Sequence, residues 1–400
     1  MSVLLPALLS SCTAGNSLPV IGETGDSDAG VESVPGSDPV FDPHLVHEVT
    51  IVLEDEAVAA LRAQPTVWVE GSLVFGGSAW EHVGVRLKGS ASFQTVDQKP
   101  AWKIKLDEYV EGQRLHGLER LTMNNEVWDP TMMAETMAYW TFRANGSPAP
   151  RTGYAAVTLN DRYLGLYAIL ESMDDAFIDH TWPDSNGGLW EMTRNCDFTS
   201  DCSCFDLQET GDDFDEDGLV RGCEAVAEGT AEALMGAFDW EALIAFLAVE
   251  RAVNHPDSYS FNLNNFFVYH DPAEDRLSLS PWGADSTFIY AYPPSAANPD
   301  CEPLYRDVDT SSSVGWLGSF CMSDEGCRED LGAAMLGVAD WMESADLVDA
   351  MERNRDMLED YPPLETSVNW TVEDRDARVA CFLEWTAERP SEIRTWVGGL

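Results

Sequence analysis

The sequence predicts an α+β fold, and three observations carry that prediction. Period-two apolar patterning dominates the N-terminal half, at residues 47–53 (HEVTIVL), 67–75, 83–87, 101–106 and 121–124, with a hairpin at 154–159 and 163–170 that turns on Asn160-Asp161. Helical spacing dominates the C-terminal half, at residues 238–253, 331–358 and 374–387. Helix signals punctuate the border: Asp129-Pro130 reads as N-cap and first helical residue of 131–144, which Asn145-Gly146 closes. Residues 54–63 and 174–180 read as short helices, and the strand 265–269 (NFFVY) returns through 277–279.

Charge limits the partners. Seventy acidic against 23 basic residues give a net charge of −47, which would repel a nucleic-acid backbone and an anionic membrane surface alike. It suits a soluble monomer and supplies many oxygen ligands for divalent cations. Residues 3–9 form an apolar run too short to span a bilayer, followed by Leu9-Ser10-Ser11-Cys12, the pattern of a bacterial lipobox, although no basic residue precedes the run. Residues 1–12 are therefore read as an export signal with Cys12 as the lipidated residue. Membrane contact is expected only through that lipid, and the location is the cell envelope or outside. Residues 13–42, rich in Gly, Ser, Asp and Pro, read as a flexible tether. Setting Cys12 aside leaves eight of nine cysteines in two groups of four, which favours disulfides in an oxidising compartment over metal ligation.

Only four lysines occur, Lys88, Lys99, Lys103 and Lys105, all within RLKGSASFQTVDQKPAWKIKL. Alternation in 101–106 puts Trp102, Ile104 and Leu106 on one face and Lys103 and Lys105 on the other. A pair of strands that merely tolerates lysine on a solvated face explains this as well as an anion site does; a phosphate is the anion that compact ammonium groups suit.

The blocks RLKGSASF, KPAWKIKL, LTMNNEVWDPTMM, PRTGYAAVTLNDRYLGLYAILESMDDAFI and PWGADSTF resemble, in order, those of the CotH family of spore-coat-type atypical protein kinases, over about residues 45–395. The resemblance implies a kinase-like fold with an antiparallel-sheet N-terminal lobe (43–190) and a mainly helical C-terminal lobe (231–400). It also implies ATP with Mg2+ or Mn2+. Phosphoryl transfer needs a cation on the phosphates, oxygens on the metal and a carboxylate at the acceptor hydroxyl. For the phosphates the first choice is Lys103, with Lys99 and Lys105 as alternatives, Lys88 and Arg86 assisting, and Gly89 and Ser90 as the covering loop. Glu171 resembles the family's glutamate beside the nucleotide. Asp257 resembles the catalytic carboxylate, and Asn265 (or Asn262 or Asn264, the register of NLNN being ambiguous) and Asp285 the metal ligands. Where the family commonly reads Pro-Trp-Asp-x-Asp, this chain has Gly283, a departure that leaves Asp285 to hold the metal or marks an inactive relative.

Residues 191–230 interrupt the family pattern. Within them Asp213, Asp215, Asp217, Gly218, Leu219 and Glu224 fit a calcium-loop spacing, without clear flanking helices, and Ca2+ is the expected ion. Two functions follow. One is a secreted or surface-anchored kinase acting on Ser or Thr of surface proteins. The other is an inactive, calcium-stabilised coat or surface-binding protein on the same fold.

Overall fold

The computed structural model describes residues 38–193, 195–199, 202–211, 214–215, 217–288 and 313–399. The export signal with Cys12, the tether as far as residue 37, Asp213 and Cys301 lie outside the described residues.

Seven strands form the N-terminal lobe: β1 (Val46–Val52), β2 (Val69–Phe75), β3 (Ser78–Lys88), β4 (Ala101–Lys105), β5 (Arg120–Asn124), β6 (Thr152–Leu159) and β7 (Arg162–Leu170). They close into a barrel in the order β1-β2-β3-β4-β5-β7-β6. The expected antiparallel sheet holds for every pair but one: β1 runs parallel to β6, with Val46 opposite Tyr154 and Ile51 opposite Leu159, and that pairing closes the ring. Closure leaves no open sheet edge in this lobe.

Alternation decides what each face does. Val85, Leu87, Trp102, Ile104, Leu121, Met123, Val157 and Ile169 fill the barrel interior as one buried cluster. The intervening residues Arg86, Lys88, Lys103, Arg120, Thr122 and Asn124 therefore share the outer face. Arg86 lies directly opposite Lys103, and Lys103 opposite Thr122. Helix α1 (Asp55–Ala63) lies beside β2, while α2 (Ala134–Ala144) packs Met137, Tyr139 and Phe142 into a second core with Tyr154, Leu166 and Leu170. Helix α2 starts later than the sequence suggests because Met132 takes a left-handed φ of 60°. Asp129 still gathers the entry: its carboxylate accepts from the amides of Thr131, Met133 and Ala134 at 2.8, 2.9 and 2.7 Å.

The second lobe is built on a four-stranded sheet, order β11-β10-β8-β9, from β8 (Gly188–Met192), β9 (Phe205–Thr210), β10 (Phe266–Asp271) and β11 (Arg276–Pro281). Residues 191–230 are thus part of this lobe. They supply β9, helix α4 (Asp217–Glu228), which follows the short α3 (Asp175–Thr181) in the chain, and disulfides Cys196–Cys204 and Cys202–Cys223. After α5 (Ala231–Ala237), helix α6 (Trp240–Ala252) is buried along nearly its whole length, as a helix apolar on all sides must be; Asp239 caps it through the Ala242 amide at 3.1 Å. It packs against α9 (Glu325–Ser344), which follows α7 (Tyr259–Asn262) and α8 (Trp316–Ser323), and α10 (Leu347–Met357) and α11 (Val372–Val397) complete the bundle. Cys321–Cys327 bridges α8 and α9, and Cys381 on α11 is also disulfide-bonded. The three disulfides with both partners described, Cys196–Cys204, Cys202–Cys223 and Cys321–Cys327, each lie within one of the two groups expected. Among the described residues no helix is long and apolar enough to cross a membrane.

Residues 361–370 cross back to the barrel, and one contact corrects an expectation. Lys99 does not face an anion site: it is fully buried and its ammonium donates to Glu365 Oε2 at 2.6 Å. Glu365 Oε1 accepts from the Leu166 amide at 2.7 Å. That approach needs glycine at the neighbouring Gly165, where a Cβ would stand 2.5 Å from the carboxylate. Lys99 pins the returning segment to the barrel.

Candidate functional site

Three segments bring polar groups to the outer face of the barrel. Lys88, the last residue of β3, donates to Asn124 Oδ1 at 2.5 Å. Asn124, on β5, donates to both carboxylate oxygens of Glu135 on α2 at 3.0 and 2.7 Å. Tyr139, one turn on, adds a hydroxyl donor to Glu135 at 3.3 Å. Lysine and glutamate are thus joined through one amide, and the ammonium also lies 5.4 Å above the Trp282 ring. Burial lowers the Lys88 pKa to about 8, Glu135 opposing the fall and Lys103 adding to it.

Lys103 forms no hydrogen bond or ion pair among the described residues, and burial, then the neighbouring Arg86, lower its pKa. Arg86 stacks over Trp68 at 4.7 Å. Lys105 lies elsewhere, paired with Glu108 at 3.1 Å, because it sits at the far end of β4 beside the acidic turn. Glu171 is committed too: Arg151 Nη2 lies 2.5 Å from its Oε1 and His180 Nδ1 3.3 Å from the same oxygen, all three side chains nearly enclosed. Of the six residues proposed for the nucleotide, the structure brings together Lys88, Lys103 and Arg86, and corrects the placement of Lys99, Lys105 and Glu171.

The loop after α6 shapes the second half of the site. Asn254 takes a left-handed φ of 49° and holds the Phe288 carbonyl at 2.7 Å, and His255 lies 3.1 Å from the Trp282 carbonyl. These contacts hold Asp257 at the head of a turn of asparagines. Asn262 donates to its carboxylate. Asn264 donates to both oxygens at 3.0 Å, and Asn265 to Oδ2 at 2.8 Å. The ambiguous register of NLNN resolves in an unexpected way: all three asparagines turn their amides onto Asp257.

Asp285 follows β11 and is electrostatically coupled to both halves. Burial, then Glu135, raises its pKa to about 8, with Lys88 opposing and Asp257 adding to the rise. Gly283 just before it has a left-handed φ of 54°, and a Cβ there would stand 2.8 Å from the Asn265 side chain. The departure from the family's aspartate therefore fits the local backbone. Replacing Gly283 with Asp is expected to cost about 1–2 kcal/mol in the left-handed backbone and to displace Asn265; denaturant unfolding in which Gly283→Asp is as stable as the parent would contradict this.

Sequence reasoning passed over Glu135, Asn124, Tyr139 and Glu126. Glu135 had a signal, an acid amid the buried face of AETMAYWTF. Glu126 had none. It is 2% exposed, takes a left-handed φ of 52°, and neither carboxylate oxygen has a hydrogen-bond partner among the described residues. Burial first, then Glu135, Asp129 and Asp285, hold its pKa well above the carboxylate range. Such a concentration of buried acids fits a divalent cation. No group of three or more His, Cys, Asp or Glu among the described residues is placed to hold one. One or two carboxylates with phosphate and water oxygens, the usual Mg2+ arrangement, is the set that fits.

The calcium motif takes another form. Asp217, Gly218, Leu219 and Glu224 all lie on α4, whereas the motif needs a loop from its first to its ninth position. Asp215 pairs with Arg221 at 2.9 Å instead. The reason is packing: Leu219 and Cys223 are buried in the second-lobe core, which the helical spacing of 219, 223 and 226 serves.

A strand-built lobe, a second lobe with a helical bundle and a lysine–glutamate unit beside an asparagine-held aspartate define a kinase-like α+β protein. The model of the family described as CotH kinase protein matches residues 85–368, so the chain belongs to that family. A solved structure titled Shewanella oneidensis MR-1 Toxin Antitoxin System HipA, HipB and its operator DNA complex is 12% identical, with 88% of this chain and 73% of that chain covered, at a TM-score of 0.38; a likeness that loose carries no argument. No curated protein sequence matches the chain.

Proposed function

We propose that the chain transfers the γ-phosphate of ATP to serine or threonine hydroxyls of proteins at the cell surface, from an exported or lipid-anchored position. The observation that supports this best is the Lys88–Asn124–Glu135 unit, electrostatically joined through Asp285 to Asp257. Lys88 holds the phosphates as a strand lysine positioned by a helix glutamate does in protein kinases, with Lys103 and Arg86 beside it. Asp285, the Asn265 carbonyl oxygen and Glu126 are the groups that would hold Mg2+ or Mn2+, which neutralises phosphate charge when bound. Asp257 accepts the proton of the acceptor hydroxyl. The asparagine amides keep its carboxylate oriented. Calcium has no part in this reading, because half of its motif is helical. Radiolabel transfer from ATP to envelope proteins tests it.

The lowered Lys88 pKa gives a signed pH test. The ammonium is present below about pH 8 and lost above it, so the share of ATP affinity that Lys88 carries declines as pH rises through 8. Lys88→Arg keeps its charge throughout and should remove that decline; identical pH profiles for the two proteins would rule out the role.

A second reading has its own observation. Gly283 leaves the site one carboxylate short of the family pattern, as a surface-binding protein without turnover would tolerate. Absence of transfer with binding of coat or surface proteins intact would favour it.

A further inference from the structure

Residues 91–94 and Gln98, shortly after Lys88 in the chain, line a cleft of about 500 Å³ together with Val127, Trp128 and residues 366–369 of the returning segment. Its size is that of a ligand site, and it contains none of the residues assigned above to catalysis or the nucleotide. Both walls are fixed. Gln94 Nε2 donates to the Ser367 carbonyl at 3.0 Å, and its Oε1 accepts from the Lys99 amide at 2.9 Å. Asn125 holds the Ser92 and Lys99 carbonyls at 3.1 and 2.8 Å. The buried Lys99–Glu365 pair anchors the far side. The cleft is preformed, so an occupant does not have to order it.

Its chemistry is unusual for this chain. Seventy of 400 residues are acidic, yet among the described residues no ionisable side chain lines the cleft. The lining offers amides (Gln98, Asn369), hydroxyls (Ser92, Ser367) and aromatic surface (Trp128, and Phe93, 39% exposed). Primary amides donate and accept together, as a peptide group does. A charged side chain entering here would lose water without finding a counter-charge.

We propose that this cleft docks an extended, uncharged segment of the acceptor polypeptide, rich in Ser, Thr, Asn and Gly, beside the phosphate-binding strand. This rests on the kinase reading and names the substrate class for it. The chain's acidic exterior attracts basic proteins indiscriminately; a neutral cleft selects by peptide hydrogen bonding.

The test is fluorescence anisotropy on the full chain without nucleotide, using a labelled ten-residue peptide of Gly, Ser, Thr and Asn. Two controls carry two Lys or two Asp, and a third probe is a neutral oligosaccharide. The neutral peptide should bind at least tenfold tighter than the charged ones. Asn369→Trp, which fills the cleft from an exposed position, should abolish binding with an unchanged melting temperature, and Gln98→Glu should weaken it at least fivefold. In transfer assays on the same peptide, Asn369→Trp should raise KM at least tenfold and leave kcat unchanged. Equal binding of all peptides, preference for the oligosaccharide, or binding and KM indifferent to Asn369→Trp would each overturn the docking site. Cleft-dependent peptide binding without phosphate transfer would support the site and count against the kinase reading alone.

Discussion

Asp257→Ala is expected to lower kcat for phosphate transfer by about 10²–10⁴, the usual range for loss of a positioned acid–base group, while nucleotide affinity stays within about twofold. The expectation follows from what Asp257 touches. Three asparagine amides converge on its carboxylate, whereas the Lys88–Asn124–Glu135 unit is assembled without it. On the proposed reading, removing it takes away the group that acts on the acceptor and leaves the cations proposed for the phosphates in place. The three asparagines then lose their common acceptor, and the turn loosens locally. Melting temperature therefore has to be followed beside the radiolabel assay. Undiminished transfer in a well-folded Asp257→Ala protein would exclude the assignment.

Lys99→Met or Glu365→Leu alone should destabilise the protein by about 3–5 kcal/mol, because each leaves a buried charge unpaired. The double substitution should recover most of that loss, since a buried pair is replaceable by apolar groups of similar volume. Both side chains are fully enclosed, and Glu365 also serves the Leu166 amide. Denaturant unfolding of the four proteins measures the coupling. Additive losses in the double variant would show that the two residues act independently. The same comparison tests Lys99 for a nucleotide role, because a phosphate-binding Lys99 would alter ATP affinity and leave stability nearly unchanged.

How much of this was legible in the sequence follows from which interactions are local. Strand alternation put Lys103 on the charged face of β4 and Trp102, Ile104 and Leu106 inside, and the barrel has that arrangement. The hairpin over Asn160-Asp161 and the strand return before Asp285 were legible for the same reason. The partner of Lys99 was not, because Glu365 lies 266 residues away and nothing local marks the contact. Period-two reading also cannot tell an open sheet from one closed by a parallel β1–β6 pair, which depends on where the chain returns. Around Asp217 two local patterns competed. The spacing DxDxDG satisfies a calcium loop, while Leu219, Cys223 and Val226 satisfy a helix, and burial of the apolar stripe accompanies the helical outcome. Glu126 was invisible for another reason: its burial, strain and missing partners exist only in the folded chain.

Lys88, Asp285 and their neighbours are proposed as a metal-dependent nucleotide site. Calorimetric titration of ATP into the oxidised full chain, with and without Mn2+, tests it most directly. Binding should require the metal and weaken at least about tenfold in Asp285→Ala, the loss of one charged ligand costing about 1.4 kcal/mol or more. Binding that is absent at every metal concentration, or indifferent to Asp285, would contradict it and leave the lysine cluster a structural feature of the barrel.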